Sequence, residues 1–405
     1  EPFIKRLTGG WLNWGKIRGS YGKSGQTFTS AYLAHGLMNI MDKSFFGKTG
    51  ITTDKPVSPY LTWEKTRQYD LGLDMDMFNY RLNVKLDYYY KYTSSLIYDI
   101  PIPGSLYAFG AQVENAMEIS NEGLELELQA DILRESAVSW RMKFNMARNW
   151  NRFEKSYSGK DVVDGDGTLL VVGRPLNGLY VWAHRGYYNS DAEVPRLYKI
   201  DGQEIYFNGV ATNGISVAVG DYRLLDLDGD GNPDSYYAGS PLPLAHGGWV
   251  NELMWKNFDL NVLVNFTIGR KMINNRMGLG FSRQSEDGHL TKLFDYRKLR
   301  PWDGVNKKPN APAWGNSLSM NTDSAIEKVH HLALKQITLG YNLPDRISKK
   351  AGLSGVRFFL TAENLFYLSN YSGGNPEVVN IYTGRDNGDT YPLPRKYTLG
   401  LTLNF

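Results

Sequence analysis

Residues 68–92 read QYDLGLDMDMFNYRLNVKLDYYYKY, and the fold turns on how this stretch alternates. Tyr69, Leu71, Leu73, Met75 and Met77 take turns with Gln68, Asp70, Gly72, Asp74 and Asp76. After a short break, Leu82, Val84, Leu86, Tyr88, Tyr90 and Tyr92 take turns with Asn83, Lys85, Asp87, Tyr89 and Lys91. A strand sends successive side chains to opposite faces, whereas a helix gathers every third or fourth residue on one side. The spacing therefore predicts two strands joined by a tight turn, each with one greasy face and one charged face.

Working outward, the same division returns at Leu124, Leu126, Leu128, Ala130 and Ile132, and at Phe258, Leu260, Val262, Val264 and Phe266. It closes the chain at Tyr397, Leu399, Leu401, Leu403 and Phe405. These runs exceed the five or six residues usual in soluble sheets and reach the roughly 9 to 11 that a tilted membrane-spanning strand needs. Counting gives ten strands, starting near 13, 62, 81, 120, 137, 247, 258, 327, 355 and 392. Short turns near 77–80, 133–137 and 255–258, with a slightly longer link at 343–355, alternate with long connections at 25–60, 97–119, 153–246, 271–326 and 367–391. Short turns at one end and long loops at the other are the asymmetry of an outer-membrane barrel.

Two strands are irregular. The first, through Trp14, Ile17, Gly19 and Tyr21, alternates poorly. In the strand from 327, parity jumps between Leu334 and Ile337, which predicts a β-bulge near Lys335. The apolar patch at 179–182 is assigned to a loop, because an eleventh strand would put the two ends of the wall on opposite sides.

Composition agrees. No apolar run approaches the length of about 18 residues that a membrane helix requires, and mean hydropathy is -0.41. The 27 Tyr, 10 Trp and 17 Phe suit sheets and the aromatic girdles of membrane barrels. A net charge of +3, from 45 basic and 42 acidic residues without long one-sign runs, argues against a nucleic-acid partner held by a basic stripe. With no cysteine there are no disulfides, thiolate nucleophiles or thiolate metal sites. The competing architecture, a soluble β-sandwich, would bury the apolar faces against each other.

Seven blocks resemble, in order, the SusC/RagA family of TonB-dependent nutrient importers. They are GKIRGSYGKSG (15–25), LTWEKTRQYDLGLDMDMFNYRLNVKLDYYYKYTSSLI (61–97), NAMEISNEGLELEL (115–128) and GDYRLLDLDGDGNPD (220–234). HLALKQITLGYNLP (331–344), ENLFYLSNYSGGNPE (363–377) and YPLPRKYTLGLTLNF (391–405) complete the series. The resemblance implies an all-β transmembrane barrel in the outer membrane of a member of the Bacteroidota, importing oligosaccharides or peptides. It implies a SusD-like surface lipoprotein as cap and energy from TonB–ExbB–ExbD through a plug domain. The plug, TonB box and earlier strands are not recognisable here, and ten strands fall short of the roughly 22 that enclose a plugged lumen. The expectation is that residues 1–405 are the C-terminal part of such a barrel, closed by other strands, with the C-terminus periplasmic and the apolar face in lipid. The runner-up is a glycan-binding or adhesion barrel that does not transport.

Candidate sites are few. In DLDGDGNPD, Asp226, Asp228 and Asp230 with Asn232 and Asp234 alternate around Gly231, like the opening of a calcium loop. Position twelve is Tyr237 rather than the bidentate Glu, so an Asp/Gly-rich turn competes with a calcium site. Trp182, Tyr187, Tyr188, Tyr236, Tyr237 and Trp302 are the aromatic loop candidates for stacking on a sugar or gripping a peptide. Glu125 and Glu127 read as lumen-wall charges, and no set of residues calls for catalysis or a required cofactor. The terminal run through Tyr397, Leu399, Leu401, Leu403 and Phe405 resembles the signal read by the barrel assembly machinery.

Overall fold

A computed structural model describes residues 9–27, 38–53, 56–103, 110–134, 136–163, 169–194, 196–198, 204–206, 218–227, 229, 234–275, 300–305, 308–313, 322–388 and 390–405. Ten long strands form one antiparallel wall in which each pairs with its predecessor and successor. They are β1 (Leu12–Gln26), β2 (Glu64–Met77), β3 (Leu82–Pro101), β4 (Ala111–Leu133), β5 (Val138–Lys155), β6 (Ala245–Trp255), β7 (Phe258–Asn274), β8 (Ile326–Asn342), β9 (Gly355–Ser369) and β10 (Lys396–Asn404). Their lengths run from 9 to 23 residues.

The predicted starts hold to within a few residues except at β4. Strands β3 and β4 continue well past the expected loop at 97–119, leaving a connection from Pro101 to Ala111. The sequence hid this because register shifts at Leu96, beside Ser95 with φ 58°, destroy the alternation from which strands are read. The expected bulge is present: Leu263 pairs with Gln336 and Val264 with Leu334, so Lys335 is the extra residue. A similar irregularity at Asn13 explains why Trp14 is out of step.

The apolar face does not form a core. Ile17, Leu71, Leu339, Leu360 and Leu399 share that face by register and remain exposed, Leu399 by 82%. A sandwich would bury them. Instead the buried clusters lie among the loops, where Leu179, Val181 and Ala238 meet Ile273 and Ala325, and Tyr371 and Val379 meet Met272 and Val329.

Aromatic residues bracket the apolar band. At the short-turn end Trp11 lies near Phe78, and Phe258 lies between Trp255 and Tyr341. Toward the loops Tyr21, Tyr69 and Tyr90 form a row. The first charge on the apolar side is Lys23 on β1 but Arg148 on β5. Lys23 is in register, through Arg67, Tyr92 and Ser120, with Arg152, so the boundary drops four residues over four strand steps. At about 3.3 Å per residue and about 4.8 Å between strands, this is a slope of roughly 35°, matching the strand tilt of membrane barrels.

Candidate functional site

The polar face is a lattice of cross-strand ion pairs. Arg18 of β1 donates to Asp74 of β2 from Nε and Nη2 (2.8 and 2.9 Å) and from Nη2 to Asp87 of β3 (2.8 Å). It can lie across β2 because residue 72 is Gly; a Cβ there would sit 2.6 Å from the guanidinium carbon. Strand β8 repeats the device. Arg357 of β9 reaches Asp259 of β7 over Gly340, where a Cβ would be 2.4 Å from the carboxylate. The glycines of the GLD and LGY blocks thus clear the way for charges two strands apart. Lys85–Glu127, Arg141–Asp131 and Lys143–Glu252 extend the lattice, and Glu125 shares this face. Half-exposed pairs of this kind add little to stability. Their main consequence is a wettable wall of near-neutral charge.

A cavity of about 660 Å³ opens on this face between Lys85, Glu127, Lys143, Asn265, His331 and Glu377. Glu377 belongs to the connection after β9, which folds back over the wall. The bulge makes that contact: Lys335 Nζ lies 3.2 Å from Glu377 Oε2, while His331 Nε2 stands 3.8 Å from Oε1. His331 and Lys335 together hold the Glu377 carboxyl below the usual range, against its partial burial. A second clamp is Arg270 of β7. Only 5% exposed, it donates to the backbone carbonyls of Pro376 (3.2 Å), Val379 (2.8 Å) and Asn380 (2.7 Å). Asn274 donates to Glu327 and Ser372, and Tyr371 donates to Asp386 at 2.7 Å.

The long connection from β5 to β6 builds the rest of the cap. Within it Leu179–Trp182 pairs with Ser235–Gly239, and His184–Tyr187 with Tyr222–Leu224, all off the wall. The aromatic candidates fall into two groups. Trp182, Tyr236 and Tyr237 lie on the first strand pair, with Tyr237 between Tyr180 and the Arg174 guanidinium. Tyr187, Tyr188 and Trp302 form the second. Tyr187 stacks on Tyr222, Tyr188 is buried, and the Trp302 indole donates to Asn189 at 3.1 Å. Asp323 joins the groups, touching His184 and accepting from the Tyr236 hydroxyl at 3.3 Å. Burial pushes the Tyr180 phenol up to about 12 and raises Tyr187 as well, so both remain neutral. The sequence reading overlooked His184, Tyr222, Asp323, Arg174 and Arg270, whose partners lie far away along the chain.

At the Asp-rich turn, Asp226 accepts the Gly229 amide at 2.6 Å and Asp234 the Leu227 amide at 2.5 Å. Asp228, Asp230 and Asn232 lie outside the described residues. Among the described residues no three His, Asp or Glu side chains converge as metal ligands. Tyr397, Leu399, Leu401 and Leu403 all lie on the apolar face of β10, and Phe405 is almost fully exposed.

The chain is 30% identical over 417 residues to TonB-dependent receptor P26 of Formosa agariphila, covering 96% of this chain and 40% of that protein. It is 26% identical to TonB-dependent receptor SusC of Bacteroides thetaiotaomicron, covering 96% and 37% respectively. The fold matches the structure of the RagAB peptide transporter with a TM-score of 0.76 at 23% identity, over 98% of this chain and 41% of that one. The chain therefore spans about 40% of the length of the relatives it matches. The family model for the TonB dependent receptor-like β-barrel, a barrel of the outer membrane, matches residues 5–239, more than half of the sequence, and the chain belongs to that family.

Proposed function

We propose that this chain is part of the wall and outer cap of an active importer of oligosaccharides or peptides. In this reading TonB–ExbB–ExbD drives a plug domain encoded outside residues 1–405, and a SusD-like lipoprotein closes the extracellular mouth. The observation that carries it is the two-sidedness of the wall: an exposed apolar face between aromatic rows, backed by a face of paired charges. Lipid suits the first face and a water-filled or plug-filled lumen suits the second. Strands β1 and β10 each pair on one side only among the described residues. Unpaired edges are not tolerated in lipid, so further strands must complete the barrel.

The loop-rich end is assigned to the cell exterior, which puts the C-terminus in the periplasm. Trp182, Tyr187, Tyr188, Tyr236, Tyr237 and Trp302 are then the aromatic surface for cargo. The part-exposed Trp182, Tyr187, Tyr236, Tyr237 and Trp302 are assigned to meet it directly, and buried Tyr188 to shape the cap. Calcium at Asp226–Asp234 belongs to the same reading; titration calorimetry that detects no heat at millimolar calcium removes it. The run from Tyr397 to Phe405 is assigned to recognition by the barrel assembly machinery, and deleting Phe405 is expected to lower the yield of assembled barrel.

The deciding experiment is uptake. A strain lacking the whole gene, with or without a plasmid copy, is given labelled oligosaccharide and labelled peptide pools. Import of one pool that depends on both the gene and TonB supports the proposal. Binding at the surface without TonB-dependent import would establish the adhesion barrel instead.

A further inference from the structure

The polar face of the wall has a dent whose floor is a glycine. Gly248 of β6 pairs with Asn145 of β5 on one side and with Asn265 of β7 on the other. A Cβ at Gly248 would stand 3.3 Å from the side-chain oxygen of Asn265 and 3.5 Å from that of Asn145. The next row toward the cap runs Ala147, His246, Thr267 and His331 across β5 to β8. Ala147 and Gly248 thus leave room among longer polar side chains, and the cavity of about 660 Å³ opens there, with Glu377 of the connection after β9 facing the wall across it. Its volume lies in the range usual for small-ligand sites.

Hydrogen-bonding capacity is left open around this dent. Asn265, Thr267 and His246 make no side-chain hydrogen bond among the described residues. The His331 side chain is only 7% exposed, and its Nδ1, like that of His246, is buried without a hydrogen-bond partner among the described residues. Buried polar atoms are nearly always paired, so both imidazoles lack a partner that the wall itself does not supply. The charges, in contrast, are closed on one another: Lys85 with Glu127 at 3.5 Å, Lys143 with Glu252 at 2.8 Å and Lys335 with Glu377 at 3.2 Å. Val250 and Leu263, opposite each other on the same face, add a small apolar patch. Amides, imidazoles and a hydroxyl beside aliphatic carbon match a neutral sugar, whose hydroxyls both donate and accept and whose ring C–H groups pack on apolar side chains. A cargo carboxylate or ammonium would have to break one of the existing ion pairs. A peptide backbone is matched best by a free strand edge, and β5, β6 and β7 are each paired on both sides.

We propose that the cavity around Gly248 is a cargo subsite in the barrel wall, separate from the aromatic surface of the cap, and that it holds a neutral sugar unit of an oligosaccharide. Asn265, Thr267 and His246 take its hydroxyls, and Val250 with Leu263 takes the face of its ring. The subsite rests on the import reading above, from whose two cargo classes it selects the uncharged oligosaccharide.

Equilibrium dialysis of the whole purified transporter in detergent compares three labelled pools: neutral hexasaccharides of glucose, mannose and galactose, the same pool oxidised to uronates at C6, and hexapeptides. The wild-type protein should bind the neutral pool about tenfold more tightly than the uronate pool. Gly248→Leu fills the floor of the dent and should weaken binding of the neutral pool by about tenfold. Asn265→Ala with Thr267→Ala removes two partners without adding volume, should weaken it by a similar factor of about ten, and decides the matter if Gly248→Leu does not assemble. Ser20→Ala, on the polar face of distant β1, should leave it unchanged. Equal affinity for the neutral and uronate pools, tighter binding of hexapeptides, or neutral binding unchanged in the variants that assemble overturns the proposal. Occupancy is read at Val250→Cys, with any cysteine outside residues 1–405 replaced by serine. A small maleimide should label this position, and the neutral pool should protect it. Failure to label means that another part of the protein fills the cavity, labelling without protection means that the sugar binds elsewhere, and either result overturns the proposal. TonB-dependent uptake separates the two readings. Import of peptides alone overturns the subsite and leaves the importer, whereas protection of Val250→Cys without import leaves the subsite and removes the importer.

Discussion

At the scale of single residues, Arg270 is the side chain on which the cap most depends. Its guanidinium satisfies three backbone carbonyls between Pro376 and Asn380 in a site that water barely reaches. Arg270→Met fills the volume but leaves those carbonyls without their donors, so opening of the connection after β9 should become easier by about 3–5 kcal/mol. Hydrogen exchange of amides in 376–388 measures this, and protection unchanged from wild type would show that the clamp carries no weight. Glu377 adds a pH dependence. Its carboxyl is held low in the folded cap by His331 and Lys335, so its stabilisation is fully present above the ordinary carboxylate value of 4.5 and is lost as pH falls through the lower folded value. The cap should therefore loosen only in that acid range. Glu377→Gln should loosen it at neutral pH and flatten the acid dependence of exchange in the same segment.

At the scale of elements, the bulge in β8 separates what a sequence can show from what it cannot. Parity alone located Lys335, because Leu332 and Leu334 on one side of it and Ile337, Leu339 and Tyr341 on the other must all face lipid. Deleting Lys335 keeps that arrangement and should give a barrel that still assembles, weakened mainly in its contact with Glu377. Deleting Val262 from the unbroken stretch of β7 between Phe258 and Leu263 inverts every side chain on one side of the gap and should abolish assembly. Heat-modifiable migration on gels tells the two apart, and equal behaviour of both deletions would contradict the register. The cap was far less legible. Its strands are two to five residues long, too short for a period to emerge, and Arg270 bonds to carbonyls that any residue could supply. Six aromatic residues of the cap were visible as aromatic, but not their division into two groups around Asp323.

At the scale of the whole molecule, the slope of the charge boundary fixes how much of a barrel the chain can be. Strands about 4.8 Å apart and tilted by roughly 35° each take up about 6 Å of circumference, so ten span about 60 Å, slightly under half of what 22 strands would need. Residues 1–405 also span about 40% of the length of their relatives, which agrees with an arc rather than a ring. The consequence is testable with residues 1–405 alone. Expressed alone and refolded into detergent, they carry open edges at β1 and β10, each able to pair with another copy through unsatisfied backbone groups. They should give aggregates or edge-to-edge oligomers that lose their structure in dodecyl sulfate without heating, whereas a barrel completed by the proposed further strands should migrate as a compact, heat-modifiable species. A compact, heat-modifiable monomer of residues 1–405 would mean that β1 and β10 close on each other. The tilt, the strand count and the need for partner strands would then all have to be reconsidered.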